Sequence, residues 1–240
     1  GCCSGCNFRL AKKDLLVVFL LSLLRATTSF SLLIAYQNIA TGVASTIHFM
    51  YPLAVSLAMM FFFHEKKSLL VMLAVLMSLF GAALLSSGEL EVKSGHTIVG
   101  LVAACISVFS YGGYIIGVRT TRAAQINSTV LTCYVMGMGA VLYLIGAMAT
   151  SGLHLVTDGY IWLIILGLAL PATAISNITL VRAIKYAGPT LTSILGAMEP
   201  LTAVVIGVFV FKELFTLNSA IGILLILLAV GMVVFRKQKS

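Results

Sequence analysis

Three side chains in this chain stand where chemistry is expensive. Glu199 sits beside Pro200 deep in a long apolar run, where an uncompensated carboxylate is costly. Such an acid either takes up a proton or is held by a cation. Arg25 follows Asp14 by 11 residues in the first apolar run, which places it ~16 Å in at ~1.5 Å per helical residue. Burying a guanidinium at that depth costs at least ~3 kcal/mol. Arg25 therefore needs a partner: Glu199, a ring of carbonyls or an anionic substrate group, unless it only forms a buried structural ion pair. His48 lies in another apolar run. It reads either as a proton site, because imidazole titrates near neutral pH, or as a hydrogen-bonded residue inside a helix bundle.

Polar residues recur around these three at helical spacing. Ser107, Ser110, Tyr111 and Tyr114 fall at i, i+3, i+4 and i+7, one helix face. Thr173, Ser176 and Asn177 share a face, as do Thr192, Ser193, Gly196, Glu199 and Pro200, and as do Ser45, His48, Tyr51 and Pro52. Four such stripes can line one aqueous pathway. Individually, Ser and Thr also bond their own backbone or join helices. Pro52, Pro171 and Pro200 each remove a donor and free the carbonyl four residues earlier. Pro52 and Pro200 are expected to break their helices and offer backbone to a substrate; Pro171 is expected to make a static kink. Glu65 and Glu213 close their runs beside Lys66-Lys67 and Lys212. They are expected to be structural acids at the interface, capping a neighbouring helix or pairing with a basic loop.

These residues need elements that hold them in lipid. The 240 residues are 60% hydrophobic and 9% charged, with a mean hydropathy of +1.12. A water-soluble domain carries about 25% charged residues, so the surface must face lipid. Eight apolar runs are long enough to cross ~30 Å of hydrocarbon: 14–36, 43–63, 69–87, 98–118, 129–149, 160–183, 190–211 and 219–235. Leu, Ile, Met and Ala dominate over strict alternation, so the runs are helices and not barrel strands. The first is too long for a signal peptide and lacks a cleavage site. Cys105 and Cys133 lie within runs and read as core.

Two runs are copies. AYQNIATGVASTIHFMYPLAVSLAMMFFFHE, ending at Glu65, aligns without a gap to AIKYAGPTLTSILGAMEPLTAVVIGVFVFKE, ending at Glu213, at an offset of 148 residues. The offset pairs Ser45 with Ser193, Pro52 with Pro200 and Glu65 with Glu213. With residues 1–13 in the cytoplasm, inside segments hold 12 Lys or Arg and outside segments hold only Lys93 and Lys212, a strong positive-inside bias. Both termini are then cytoplasmic. The copies are five crossings apart, so they run oppositely through the membrane as an inverted repeat, an arrangement that belongs with transport. Runs one to three match runs six to eight, and runs four and five open the second copy. Two matching runs are therefore expected before residue 1, giving ten in all, with the eight-run chain a fragment or truncated product. The expected layout is a cytoplasmic segment 1–13, a first repeat 14–95, a second repeat 96–235 and a cytoplasmic tail 236–240.

The pattern Ser45…Pro52…Glu65 and Ser193…Glu199-Pro200…Glu213 resembles the EamA family of the drug/metabolite transporter superfamily. The likeness covers residues 14–235. It implies ten helices in two inverted five-helix repeats around a central substrate cavity, no cofactor and no enzymatic step.

Other motifs carry little. Cys2, Cys3 and Cys6 form CCxxC with no second pair or nearby His, so neither a zinc site nor another metal site is expected. There is no P-loop and no nucleophile elbow. The net charge of +8 is accounted for by the inside segments and requires no nucleic acid. Two function classes remain. The first is a secondary transporter in the cell (plasma) membrane, exporting a small metabolite, an amino acid or a drug-like compound, with the lipid bilayer, the small-molecule substrate and a coupling proton as its partners. The second is a receptor-like helical protein or membrane enzyme, for which the four His are too dispersed.

Overall fold

The computed structural model of the chain describes residues 10–39, 41–65, 68–86, 96–150, 158–196, 198–209 and 216–238. Among them every regular element is helical. Cys2, Cys3, Cys6, Lys66, Lys67, Lys93, Lys212 and Glu213 lie outside the described residues.

The elements are α1 (Lys12–Asn38), α2 (Thr41–His48), α3 (Tyr51–Phe62), α4 (Leu69–Ser86), α5 (Thr97–Thr120), a 3-10 turn (Arg122–Gln125), α6 (Ser128–Thr150), α7 (Gly159–Gly167), a π-helical stretch (Leu168–Ile175), α8 (Ser176–Ala187), α9 (Pro189–Leu195), α10 (Met198–Phe209) and α11 (Leu217–Gln238). Among the described residues, Lys13–Asn38, Val43–Phe62, Thr97–Thr120, Ser128–Met148 and Gly159–Ala187 are long and apolar enough to cross a membrane. Leu69–Leu84 and Ala220–Met232 are shorter apolar helices. Together they meet seven of the eight expected runs; the run 190–211 is divided into α9 and α10. The chain is thus an all-α multi-pass membrane protein. Its exposed side chains suit lipid: Phe62, Leu69, Phe80, Phe109 and Leu163 all face outward. Cys105 and Cys133 correct the expectation of core thiols, since both are exposed. A thiol is apolar enough to sit on such a surface.

Breakers end the helices where their chemistry demands. His64 takes a left-handed φ of 52° after α3, and the Glu65 N–H turns back to the Met59 carbonyl at 3.0 Å. Gly188, at φ 94°, separates α8 from α9 in a conformation that costs glycine least. Pro189 then opens α9 at a position where no amide donor is needed. Pro171 falls in the π-helical stretch. The missing amide is absorbed by wider turns, and the Thr173 hydroxyl donates to the Leu168 carbonyl at 2.9 Å.

The described residues divide into two compact units. The first comes from Gly1–Ala26 and Gly117–Gly188. Its polar ties lie at one end: the Arg122 Nε donates to Asp14 Oδ1 at 2.7 Å, and the Arg119 guanidinium donates to the Lys185 carbonyl at 2.6 Å. The Lys185 ammonium in turn meets the Ile126 carbonyl. Cations thereby satisfy carbonyls that the end of a helix leaves open. Farther along, the Tyr143 hydroxyl donates to the Ala26 carbonyl at 3.4 Å.

The second unit comes from Thr27–Ile116 and Pro189–Ser240. Its tightest helix pair is α4 with α11. A Cβ on Gly81 would lie 2.8 Å from the Gly222 carbonyl oxygen and 2.8 Å from Ile226 Cγ1, so the helices touch backbone to side chain there. Ala74, Val75, Ile194 and Ala229 share one buried cluster. The 148-residue offset pairs Gly81 with Ala229 and Ala74 with Gly222. Small residues at matching positions thus let the two helices approach in opposite directions. A second cluster, Ala35, Ile39, Ala44, Ala103 and Ala104, joins α1, α2 and α5. Asn38 Oδ1 accepts the His96 N–H there at 3.1 Å.

Candidate functional site at two broken helices

The chain breaks twice at equivalent points of the repeated segment. Phe49 and Met50 separate α2 from α3, and α9 ends at Leu195, before Gly196, with α10 starting at Met198. In the 148-residue register the two breaks agree to within one residue. Pro52 is the second residue of α3, and Pro200 the third of α10. Each proline cannot donate to the carbonyl four residues back, which is His48 in one case and Gly196 in the other. The backbone rearranges accordingly: the Glu199 N–H bonds the Gly196 carbonyl at 3.0 Å, a three-residue step, and the Gly196 N–H is shared between the Thr192 and Ser193 carbonyls.

Aromatic and imidazole rings fill the first break. His48 lies 5.6 Å from Tyr51 and 5.4 Å from Tyr111 between ring centroids. Tyr51 meets Tyr111 edge to face at 4.7 Å, a favoured arrangement for aromatic pairs. Tyr111 stacks with Tyr114 at 6.4 Å, 12° from parallel. Tyr51, Tyr111 and Tyr114 are all buried. The His48 Nδ1 is 2.9 Å from the Ser107 hydroxyl, and that hydroxyl donates to the Ala104 carbonyl at 2.6 Å. A serine has one proton to give. Ser107 therefore accepts from His48, and Nε2 is left as the basic nitrogen of the ring.

The second break enters the same cluster. The Tyr51 hydroxyl occupies the space that a Cβ on Gly196 would take. Glu199 is exposed at the start of α10. Pro200 behind it is buried.

Of the residues expected at a pathway, the second unit thus gathers His48, Tyr51, Ser107, Tyr111 and Tyr114, and it holds Glu199 three residues after the Gly196 break. Ser110 sits beside this group with its hydroxyl on the Ile106 carbonyl at 2.8 Å and 3.0 Å from the Thr28 hydroxyl. Ser45 is 3.2 Å from the Tyr36 hydroxyl. Buried Ser193 donates to the Thr190 carbonyl of its own helix at 2.8 Å. Arg25, Ser176 and Asn177 belong to the first unit. Arg25 is half-buried and Ser176 exposed, and the Asn177 amide donates to the Thr173 carbonyl of its own segment at 2.7 Å. Glu65 receives the Thr190 hydroxyl on Oε2 at 2.6 Å, in the first turn of α9. Glu213 lies outside the described residues.

Thr28, Tyr36 and Thr190 complete these contacts without having been singled out as site residues, and Gly196, expected on the polar face of its run, supplies the seat for Tyr51. Thr28 carried a signal, since Ser22, Arg25, Thr28 and Ser31 follow one another at three-residue spacing in the first run. Gly196 was legible only by its place on that face, because its contribution is the absence of a side chain.

Comparisons with known proteins bear on the chain's family and fold. The model of the EamA-like transporter family matches residues 98–235. An uncharacterized inner membrane transporter of Salmonella typhimurium, YicL, is 26% identical over 226 residues, 91% of this chain and 73% of that protein. One protein crystal structure superposes with a TM-score of 0.80 at 18% identity, covering 97% of this chain and 80% of the other. At that identity the likeness is one of fold.

Proposed function

As a member of the EamA-like transporter family, the chain is a multi-pass membrane transporter, and we propose that it moves a small metabolite by alternating access between two inverted repeats. The cargo is an amino acid or a drug-like compound, and the direction is export. The protein lies in the cell membrane with both termini cytoplasmic, and its substrate passes the cluster of His48, Tyr51, Tyr111 and Glu199.

The observation that carries this reading is the pair of register-matched helix breaks meeting at Tyr51 and Gly196. Broken helices near mid-membrane expose unpaired backbone and side-chain groups that a helix interior would otherwise satisfy. The cluster offers flat apolar faces from Tyr51 and Tyr111, a basic nitrogen from His48 and an acid from Glu199. That combination suits a small zwitterion or amine with an apolar body. Arg25 is a candidate partner for an anionic group of the cargo. Glu65 holds the first turn of α9 through Thr190 and is assigned a structural role.

The test is counterflow in proteoliposomes with a panel of amino acids and amine drugs. One class should exchange, and Tyr111→Leu should weaken its apparent affinity by at least about tenfold, or ~1.4 kcal/mol. Exchange of a substrate unaffected by changes at Tyr51, Tyr111 and Glu199 would remove the cluster from the pathway.

A further inference from the structure

The 148-residue offset that aligns the two breaks also maps one contact onto another. It relates Tyr51 to Glu199 and Gly196 to His48. In this structure the Tyr51 hydroxyl is seated on Gly196. When two oppositely inserted repeats exchange conformations, a contact between a residue of one and a residue of the other gives way to the contact between their counterparts. The counterpart of Tyr51 on Gly196 is Glu199 on His48. We propose that His48 and Glu199 meet in the opposite access state and together form a proton-binding site, an inference that rests on the alternating-access reading above.

The chemistry of both partners suits it. Ser107 spends its proton on the Ala104 carbonyl and takes the His48 Nδ1–H, which orients the ring and presents Nε2 as the acceptor. A proton delivered to the pair makes an imidazolium beside a carboxylate or a neutral imidazole beside a carboxylic acid; the two forms carry the same net charge. In the state seen here Glu199 is exposed at the start of α10. The exchange is asymmetric. One end state has a phenol on a glycine and the other has an acid on a base, so proton availability biases one against the other.

Among the described residues of the second unit, the titratable neighbours are these. Tyr51 faces the point from α3, Tyr111 and Tyr114 from α5, and Tyr36 lies farther along α1. Phenols ordinarily stay protonated at physiological pH. The sequences of α4 and α9 carry no titratable side chain, and α11 has Arg236 and Lys237 only in its last turn.

Nickel provides the test. In a background with the native cysteines replaced, Ser45→Cys reports access by its rate of reaction with a membrane-impermeant thiol reagent. Glu199→His places a second imidazole opposite His48, and the two should bridge Ni²⁺ when they meet. Micromolar Ni²⁺ should change the reporter rate by at least about tenfold, because a ligand bound by one state only draws the population there. The response should vanish when His48→Gln is added. Gly196→Val, which denies Tyr51 its seat, should lower the Ni²⁺ concentration required. With native Glu199, the reporter rate should depend on pH, and that dependence should be lost in Glu199→Gln and in His48→Gln. A double His48→Cys, Glu199→Cys variant, oxidised to a disulfide that freezes the reporter, gives the same answer without metal. An equal Ni²⁺ response with and without His48, or no cross-link while the reporter still alternates, overturns the pairing and leaves alternating access standing. A reporter that never changes its access overturns both.

Discussion

At the scale of single residues, the hydrogen-bond chain His48–Ser107–Ala104 is the most exposed to test. Ser107→Ala leaves the half-buried His48 Nδ1–H without its acceptor, and losing a hydrogen bond of this kind costs about 1 kcal/mol. Thermal unfolding in detergent should fall accordingly, and Ser107→Thr should restore it. Glu65 invites a milder change. Thr190→Val removes the donor to its carboxylate, with an expected cost of about 1 kcal/mol, while Glu65→Gln keeps an acceptor for that hydroxyl and should be nearly silent in the same unfolding assay. Much of this was readable from residue types alone. The i, i+3, i+4 stripe of α5 and the Ser45–His48–Tyr51 stripe of the first break named most of the cluster, because polar side chains in lipid have few reasons to share a face. Partners across helices were not readable. Nothing in the sequence ties Thr28 to Ser110 or Glu65 to Thr190, since those contacts depend on which helices become neighbours.

At the scale of elements, proline marks where helices break but does not fix how. Pro52 and Pro200 lie just after true interruptions, whereas Pro171 is absorbed into a π-helical stretch between α7 and α8. The difference follows from the neighbours. Gly196 has no side chain and makes room for the Tyr51 hydroxyl at the second break, while the turns around Pro171 widen and the chain stays helical. Pro200→Ala returns an amide donor to the Gly196 carbonyl. Helical content should change little, while exchange in proteoliposomes should fall severalfold, as expected if the break is part of the moving machinery. The α4–α11 contact makes a separate prediction. Gly81→Leu must drive side-chain atoms into the Gly222 carbonyl and Ile226. Overpacking of this kind costs about 1–3 kcal/mol. Gly137→Leu, with nothing within 4 Å of its Cβ, should stay within about 0.5 kcal/mol of the parent. The same melting assay ranks the two.

At the scale of the whole molecule, composition decides most. A chain with so few charges cannot clothe itself for water, and its apolar runs set the number of helices before any contact is known. Charge placement adds direction. In the first unit the Asp14–Arg122 pair and the Arg119–Lys185–Ile126 ties draw the basic ends of α1, α5 and α8 together. What composition cannot give is motion. The central claim is that the two breaks form one site opened to each side of the membrane in turn. Cysteines placed singly at Ser45 and Ser193, in a cysteine-free background, should be measured with an impermeant thiol reagent in right-side-out and inside-out membrane vesicles. Each cysteine should react from both sides, and ligand or pH should raise access from one side as it lowers access from the other. A cysteine at either position that reacts from one side only, under every condition, would contradict alternating access through this site.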